Sequence, residues 1–423
     1  MLNKLKPKSE FAKNVLTLMT GTTIAQAIPI TISPILTRLY TPEDFGVFAL
    51  FVAITSIFGS IANGRYELAI MLPRKDEDAI NIMALGFIIN VVLSLFLLFV
   101  VIVFHDNILN VLNNKEISPW LYLVPISVFL MGLFNLLNYF NNRKKFYKDL
   151  AKANVYKSIG MAIVQLSLGF LKAGAFGLIS GQIFSQIISN TKLFLNIKKL
   201  NLFKEIKKIK IIALGKRYID FPKFSMWAIL ANTLAVQLTN ILISSFYGIK
   251  TLGFYSLAQR MLGMPSSLIG ASIGQVFFEE ATKEKQKTGK AIKTFNSTLK
   301  KLLIISIPSF AFLYFIIEDL FAFIFGEEWR IAGKYAQIII PLFAIRFVVA
   351  PLSNINNIFE LQKIALLWQL VLLILSISCL YFSYFFNIEF INFLNIFVGI
   401  IFIHYAILLY ILYIVSHRGK LKK

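Results

Sequence analysis

The sequence has little of what a soluble enzyme uses. Only 15% of its 423 residues are charged, against roughly 25% in ordinary soluble domains. One cysteine, Cys379, excludes an intrachain disulfide, and the three scattered histidines His105, His404 and His417 do not predict a metal site. A glycine-rich phosphate loop ending in Lys and Ser or Thr is also missing, so we expect neither ATP hydrolysis nor a bound cofactor.

Apolar residues are abundant instead, at 57% of the chain. They recur in runs of about 20 residues, long enough to cross about 30 Å of hydrocarbon as helices. The sequence therefore predicts an all-α polytopic membrane protein, with a first span that is retained because its apolar run continues to Leu39. The twelve predicted spans are 15–39, 46–72, 79–104, 120–141, 155–172, 174–197, 222–246, 253–279, 296–317, 334–358, 362–386 and 389–415.

The basic residues predict the orientation of these spans. The net charge is +22, and with the N-terminus inside, most Lys and Arg residues fall in cytoplasmic segments, as the positive-inside rule requires. Both termini are therefore predicted to be cytoplasmic, and the positive charge needs no nucleic acid to explain it. The few basic residues left in outer loops are Lys115, Lys172, Lys250, Arg330 and Lys334.

A basic linker at 198–221 divides the chain into two halves of six spans, an N-terminal lobe at 1–197 and a C-terminal lobe at 222–417, followed by a basic tail at 418–423. In the linker, apolar residues recur every three positions among lysines, which predicts a helix on the anionic inner leaflet, with a solvated linker helix as the alternative. At an offset of 207, a short match supports two related lobes around an axis along the membrane normal. The matched pairs are Tyr40 with Tyr247, Gly46 with Gly253, and Leu50 with Leu257.

Polar stripes mark the first span of each half. Their spacings of three, four or seven place the members of each stripe on one helical face. Hydrogen bonding between helices, worth about 0.6 kcal/mol per contact, is the structural alternative. Because both halves carry a stripe, we predict an aqueous cavity between the lobes. The predicted lining residues are Thr22, Gln26 and Ser33 in the first span and Thr233, Gln237 and Asn240 in the seventh.

Charged residues within the spans are the strongest functional signal. An ionised side chain at the bilayer centre costs at least about 2.5–3.5 kcal/mol, so it usually faces protein or water. Since Arg65 and Glu67 are two residues apart in a predicted helix, we expect them to point in different directions and not to neutralise each other. We predict a cationic cavity for an anionic ligand, because arginine suits a bidentate grip on phosphate. Its predicted members are Arg38, Arg65, Arg260 and Arg346.

Two stretches, TRLYTPEDFGVFALF at 37–51 and GRYELAIMLPRKDEDAIN at 64–81, resemble the polysaccharide (O-antigen or capsule) repeat-unit flippases of the multidrug/oligosaccharidyl-lipid/polysaccharide exporter superfamily. The motif covers the first two spans, and the twelve-span layout agrees over the rest. The resemblance implies a MATE-like, V-shaped pair of six-helix lobes in the bacterial cytoplasmic membrane. Such proteins move polyprenyl-pyrophosphate-linked oligosaccharide from the inner to the outer leaflet by alternating access.

The resemblance also implies partners and an energy source. The arginine cavity would hold the pyrophosphate and sugars while the polyprenyl tail stays among membrane lipids, and a polysaccharide polymerase with its chain-length machinery would act next. A proton or sodium gradient would drive transport. Glu67 is the candidate coupling residue, with a purely structural contact to a neighbouring helix as the open alternative.

Two other classes of protein are weighed against the flippase. A cation-coupled multidrug exporter of the same superfamily favours buried carboxylates, whereas this chain has four arginines against one such acid, Glu67. A membrane-embedded polysaccharide polymerase usually carries a large outer loop, and every outer loop here is short. The sequence therefore predicts a transporter and no enzyme.

Overall fold

The computed structural model describes residues 10–359 and 361–418, which fold into helices joined by turns. In chain order the α-helices are α1 (Glu10–Leu39), α2 (Pro42–Gly59), α3 (Tyr66–Ala69), α4 (Asp76–Val103), α5 (His105–Leu112), α6 (Ser118–Leu121), α7 (Val124–Arg143), α8 (Tyr147–Phe170), α9 (Ala175–Lys198), α10 (Lys208–Arg217), α11 (Met226–Tyr247), α12 (Ile249–Thr288), α13 (Ile292–Phe325), α14 (Arg330–Leu352), α15 (Ile355–Ile358), α16 (Gln362–Phe385) and α17 (Phe390–Arg418).

Within the described residues, a helix of 18 residues or more overlaps each of the twelve predicted spans. Eight of these segments are both long and apolar enough to cross a membrane. The prediction of an all-α polytopic membrane protein is confirmed. The longest helices are α12, with 40 residues, and α13, with 34.

The chain divides into two compact units, Met1–Gln237 and Leu238–Lys423, here called the first and second units. In the first unit, α8 packs against α1 and α9, and α7 packs against α4 and α9. In the second unit, α14 packs against α12, α13 and α17. Each unit has its own apolar core, around Ile70, Ile80 and Phe140 in the first and around Phe277 and Phe295 in the second.

One pair of helices, α2 in the first unit and α12 in the second, follows the repeat found in the sequence. Helix α2 begins at Pro42 and α12 at Ile249, which are separated by the offset of 207 found in the sequence. The first start is a capping box, in which Thr41 and Asp44 each accept from the other's backbone N–H. The second start follows Gly248, whose φ of 89° suits glycine.

The second predicted span is not one helix. Helix α2 ends at Gly59, and a turn leads to the short helix α3, so the predicted continuous helix over 46–72 is wrong. At the end of this turn Gly64 and Arg65 have φ of 59° and 64°, a left-handed conformation that a continuous right-handed helix cannot include. The Asn63 side chain holds this turn against α7 by donating to the Gly132 carbonyl at 2.9 Å.

The linker also differs from its prediction as a single helix. A 3-10 turn over Leu202–Glu205 precedes α10, and the backbone at 206–207 is extended. The cause is Asn81 on α4, whose amide donates to the Glu205 carbonyl and accepts from the Lys207 N–H, both at 2.8 Å. These backbone groups are bonded to another helix, so the linker helix starts only at Lys208.

Candidate functional site

The Arg65–Glu67 pair is a partly buried ion pair of the first unit, at the start of the short helix α3. Arg65 Nη1 lies 3.1 Å from Glu67 Oε1, with the two side chains 21% and 3% exposed. The prediction that these residues cannot neutralise each other is wrong, because Arg65 sits in a left-handed turn and the spacing rule of a continuous helix does not apply. Arg65 Nε and Glu67 Oε2 are buried without a hydrogen-bond partner in the described structure.

Neighbouring tyrosines complete the surroundings of this pair. Tyr139 on α7 lies near both charges. Tyr66, which stands between Arg65 and Glu67 in the sequence, is 4% exposed and donates its hydroxyl to the Gly215 carbonyl of α10 at 2.9 Å. The charged turn is therefore bonded to the linker helix.

Arg346 lies on α14 in the second unit and is half-buried. Its guanidinium carbon lies 5.1 Å from the ring centre of Tyr405 on α17, a cation–π distance. The Arg346 Nε is buried and has no hydrogen-bond partner among the described residues. Trp368 lies beside Tyr405, with ring centres 5.9 Å apart, so Arg346 borders an aromatic cluster and leaves donor capacity unused.

The other two predicted arginines have different surroundings. Arg260, half-buried on α12, makes no ion pair or hydrogen bond with any side chain that the structure describes. Arg38, in the last turn of α1, is exposed. Two of the four arginines thus belong to each unit, and their convergence on one cavity stays a prediction.

Lys157 is a cation that the sequence analysis missed. It lies on α8, and its Nζ is 4.7 Å from the ring centre of Phe134 on α7. No carboxylate pairs with it in the described part of the chain, whereas Lys192 on the adjacent helix α9 pairs with Asp149 at 2.8 Å. The sequence could have identified it, because Lys157 lies within the predicted span 155–172. It was grouped with the loop lysines because it is close to the start of that span.

The polar stripes are partly satisfied within their own helices. Hydroxyls of Thr22, Ser33 and Thr233 donate to carbonyls of the preceding turn, at 2.9, 2.5 and 2.8 Å. Ser33 has no exposed surface, so it lies in the packed face of α1 and not on the wall of an open cavity. Gln26 is half-buried, with Oε1 unpartnered in the described structure. Gln237 and Asn240 are half-buried and take part in further interactions.

Several known proteins are similar to this chain in sequence. The family model described as polysaccharide biosynthesis protein matches residues 35–333. The succinoglycan biosynthesis transport protein ExoT of Rhizobium meliloti (strain 1021) is 23% identical over 332 residues, which are 76% of this chain and 63% of ExoT. An uncharacterized membrane protein in the cps region of Klebsiella pneumoniae is 22% identical over 362 residues, which are 84% of this chain and 72% of that protein. The match therefore spans less than two thirds of ExoT.

Solved structures share the fold. The lipid II flippase MurJ in an inward closed conformation matches with a TM-score of 0.72 at 13% identity, over 97% of this chain and 94% of MurJ. An inward-facing multidrug resistance MATE family transporter of the MOP superfamily matches with a TM-score of 0.64 at 13% identity, over 94% of each chain. The MATE-like fold implied by the resemblance is confirmed. The chain belongs to the polysaccharide biosynthesis protein family, and it has the fold of the MOP superfamily.

Proposed function

We propose that this protein is a flippase for polyprenyl-pyrophosphate-linked oligosaccharide repeat units. It would carry them across the bacterial cytoplasmic membrane during synthesis of a surface polysaccharide such as O-antigen, capsule or exopolysaccharide. Membership of the polysaccharide biosynthesis protein family supports the pathway, and the similarity to ExoT, a succinoglycan biosynthesis transport protein, supports the transport step.

The observation that carries this proposal is a set of cations without counter-charges. Lys157, Arg260 and Arg346 lie on helices that overlap predicted spans, are half-buried, and have no carboxylate partner in the described structure. A desolvated cation is costly unless a ligand of opposite charge replaces the lost water. A pyrophosphate supplies that charge, and the guanidinium groups can each bind it through two hydrogen bonds.

Transport would proceed by alternating access. The unpaired cations would bind the pyrophosphate, while the oligosaccharide occupies a water-filled space and the polyprenyl tail remains in lipid. Pro29 and Pro34 in α1 remove backbone donors and so favour a helix that bends. The left-handed turn at Arg65 offers a second place where the backbone direction changes.

Glu67 remains the candidate coupling residue. Its Oε1 holds Arg65, while its buried Oε2 has no partner in the described structure. Protonation of this carboxyl would weaken the ion pair and free the Arg65 guanidinium for an anionic ligand. A cation-coupled drug exporter would instead use such an acid to bind its cationic substrate, for which a carboxylate already paired with arginine is poorly suited.

Two alanine variants test the role of the cations. In a strain that depends on this gene for its surface polysaccharide, Arg260→Ala and Arg346→Ala should abolish surface glycan while the protein stays in the membrane fraction at normal levels. Arg330→Ala is the matched control, because this arginine is neutralised by Asp319 at 2.6 Å and by Glu327; its glycan level should remain normal. Wild-type glycan in both test variants would refute the proposed site.

A further inference from the structure

Helix α10 is fastened to the first unit along one face. Lys210 Nζ lies 2.8 Å from Glu77 Oε2 and 3.7 Å from Asp78 Oδ1, at the start of α4. Leu214, one turn further on, is 7% exposed and belongs to the apolar core of the first unit. The Lys210 contact raises the pKa of this lysine above its usual value, through its hydrogen bond with Glu77. This face is therefore a protein contact that keeps Lys210 charged.

The opposite face of α10 carries apolar side chains without protein cover. Ile209 is 84% exposed and Ile212 is 50% exposed. Their spacing of three residues places them on one side of the helix, together with Lys216. Lys208, four residues before Ile212, borders this side and is also exposed. An apolar strip bordered by basic residues is typical of a helix that lies in a membrane interface.

The position of α10 points to the lipid surface as the occupant. It lies at the N-terminal end of α4, a helix apolar enough to span the membrane, where the charged residues of positions 74–78 give way to apolar ones. The segment Phe221–Tyr247, also apolar enough to span, begins four residues after α10. Its first turns expose Phe224 and Trp227, by 69% and 60%. The exposed apolar strip of α10 is thus followed, a few residues later, by exposed apolar side chains at the start of a segment able to span the membrane.

We propose that α10 docks on anionic phospholipid through Ile209 and Ile212, with Lys208 and Lys216 binding the headgroups, and thereby holds the Arg65–Glu67 turn in place. The link to the turn is the hydrogen bond from the Tyr66 hydroxyl to Gly215 of α10, at 2.9 Å. The contact of Lys210 with Glu77 and the bonds of Asn81 fix the same segment to α4. This inference does not depend on which substrate the protein moves.

Depth measurement tests the docking. The native cysteine of the full-length protein is first removed by Cys379→Ser, and Ile209→Cys introduces a single labelling position. This position is labelled with an environment-sensitive fluorophore, and the protein is reconstituted in nanodiscs of phosphatidylcholine, with or without phosphatidylglycerol. Labelled Lys287→Cys, at the exposed end of α12, is the control. We expect the label at position 209, and not the label at 287, to show blue-shifted emission and quenching by a nitroxide on the lipid. Both effects should be stronger with phosphatidylglycerol. A label at 209 that is as solvated as the label at 287 in both membranes would overturn the docking.

Two variants separate the parts of the proposal. Lys208→Glu with Lys216→Glu should remove the dependence on phosphatidylglycerol; unchanged dependence would overturn the role of these lysines. Hydrogen exchange of the amides at 61–67 tests the link to the turn. Exchange should be slower in anionic than in zwitterionic nanodiscs, and Tyr66→Phe, which keeps the ring but removes the hydroxyl, should abolish the difference. Equal exchange of the wild-type turn in both lipids would overturn the link.

Discussion

The Arg65–Glu67 pair allows a quantitative test, because its two members differ in their access to water. The Glu67 side chain is 3% exposed and the Arg65 side chain 21%. In Arg65→Gln, the carboxylate is left without its counter-charge where water hardly reaches. In Glu67→Gln, the remaining guanidinium can turn toward water. Glutamine keeps the left-handed backbone at position 65 as strained as arginine does, so the comparison isolates the charge.

The magnitudes follow from this difference. A buried charge that loses its partner costs about 3–5 kcal/mol. A carboxylate can avoid this cost by taking up a proton, which for a carboxyl of ordinary pKa costs about 3.7 kcal/mol at pH 7 and about 1 kcal/mol at pH 5. We therefore expect Arg65→Gln to lose up to about 3.7 kcal/mol at pH 7 and about 1 kcal/mol at pH 5. Glu67→Gln should lose about 1 kcal/mol at both pH values, because the glutamine oxygen can still accept from Arg65 but the hydrogen bond loses its charge on one side.

These losses can be measured by thermal unfolding of the detergent-solubilised protein at the two pH values. The measurement is made on both single variants and on the double variant. For a unit of this size, 1 kcal/mol corresponds to a Tm shift of roughly 2–4 °C. The double variant should be more stable than Arg65→Gln at pH 7, because it leaves no uncompensated charge. Losses for Arg65→Gln that do not change with pH, or a double variant equal to the sum of the singles, would show that the contact carries no energy.

Three further predictions concern single positions. Lys157→Met should lower surface glycan at least tenfold without lowering Tm, since it removes only a desolvated charge; normal glycan would contradict a role of Lys157 in binding the anionic substrate. Gly132→Ala should lower Tm by the equivalent of about 1–3 kcal/mol, because an added Cβ would lie 2.6 Å from Asn90 Oδ1. Adding Asn90→Ala, which removes the clashing side chain, should recover part of the loss. Tyr40→Phe should cost about 1 kcal/mol in thermal unfolding, because the Tyr40 hydroxyl donates to the Gln165 carbonyl at 2.5 Å; an unchanged Tm would contradict this.

The spans could be predicted because the hydrocarbon layer imposes a length and a composition on every helix that crosses it. This constraint is local and recurs in each apolar run, so each of the twelve predicted spans meets a long helix in the described chain. The break after Gly59 was missed for the opposite reason. It depends on left-handed residues at 64 and 65 and on a hydrogen bond from Asn63 to α7, and hydropathy reports neither.

The errors at the candidate site have the same origin. The Arg65–Glu67 contact was excluded by assuming a continuous helix, and the linker helix was drawn too long because Asn81, more than a hundred positions earlier, bonds its backbone. Lys157 could have been recognised from the sequence alone, because it lies inside the predicted span 155–172. The identities of the predicted arginines follow from the cost of burying charge, but their partners depend on tertiary structure.

The length of α12 has a consequence beyond the membrane. Its 40 residues extend about 60 Å, about twice the hydrocarbon thickness, and the charged residues near its end, among them Glu284 and Lys287, identify the part that projects. There the Glu284 carboxylate accepts from the Lys293 and Thr294 N–H groups, at 3.0 and 2.7 Å, and so caps the returning helix α13. Because Arg260 lies on the same helix, we expect an antibody fragment that binds the projecting hairpin to change the position of this arginine from the aqueous phase.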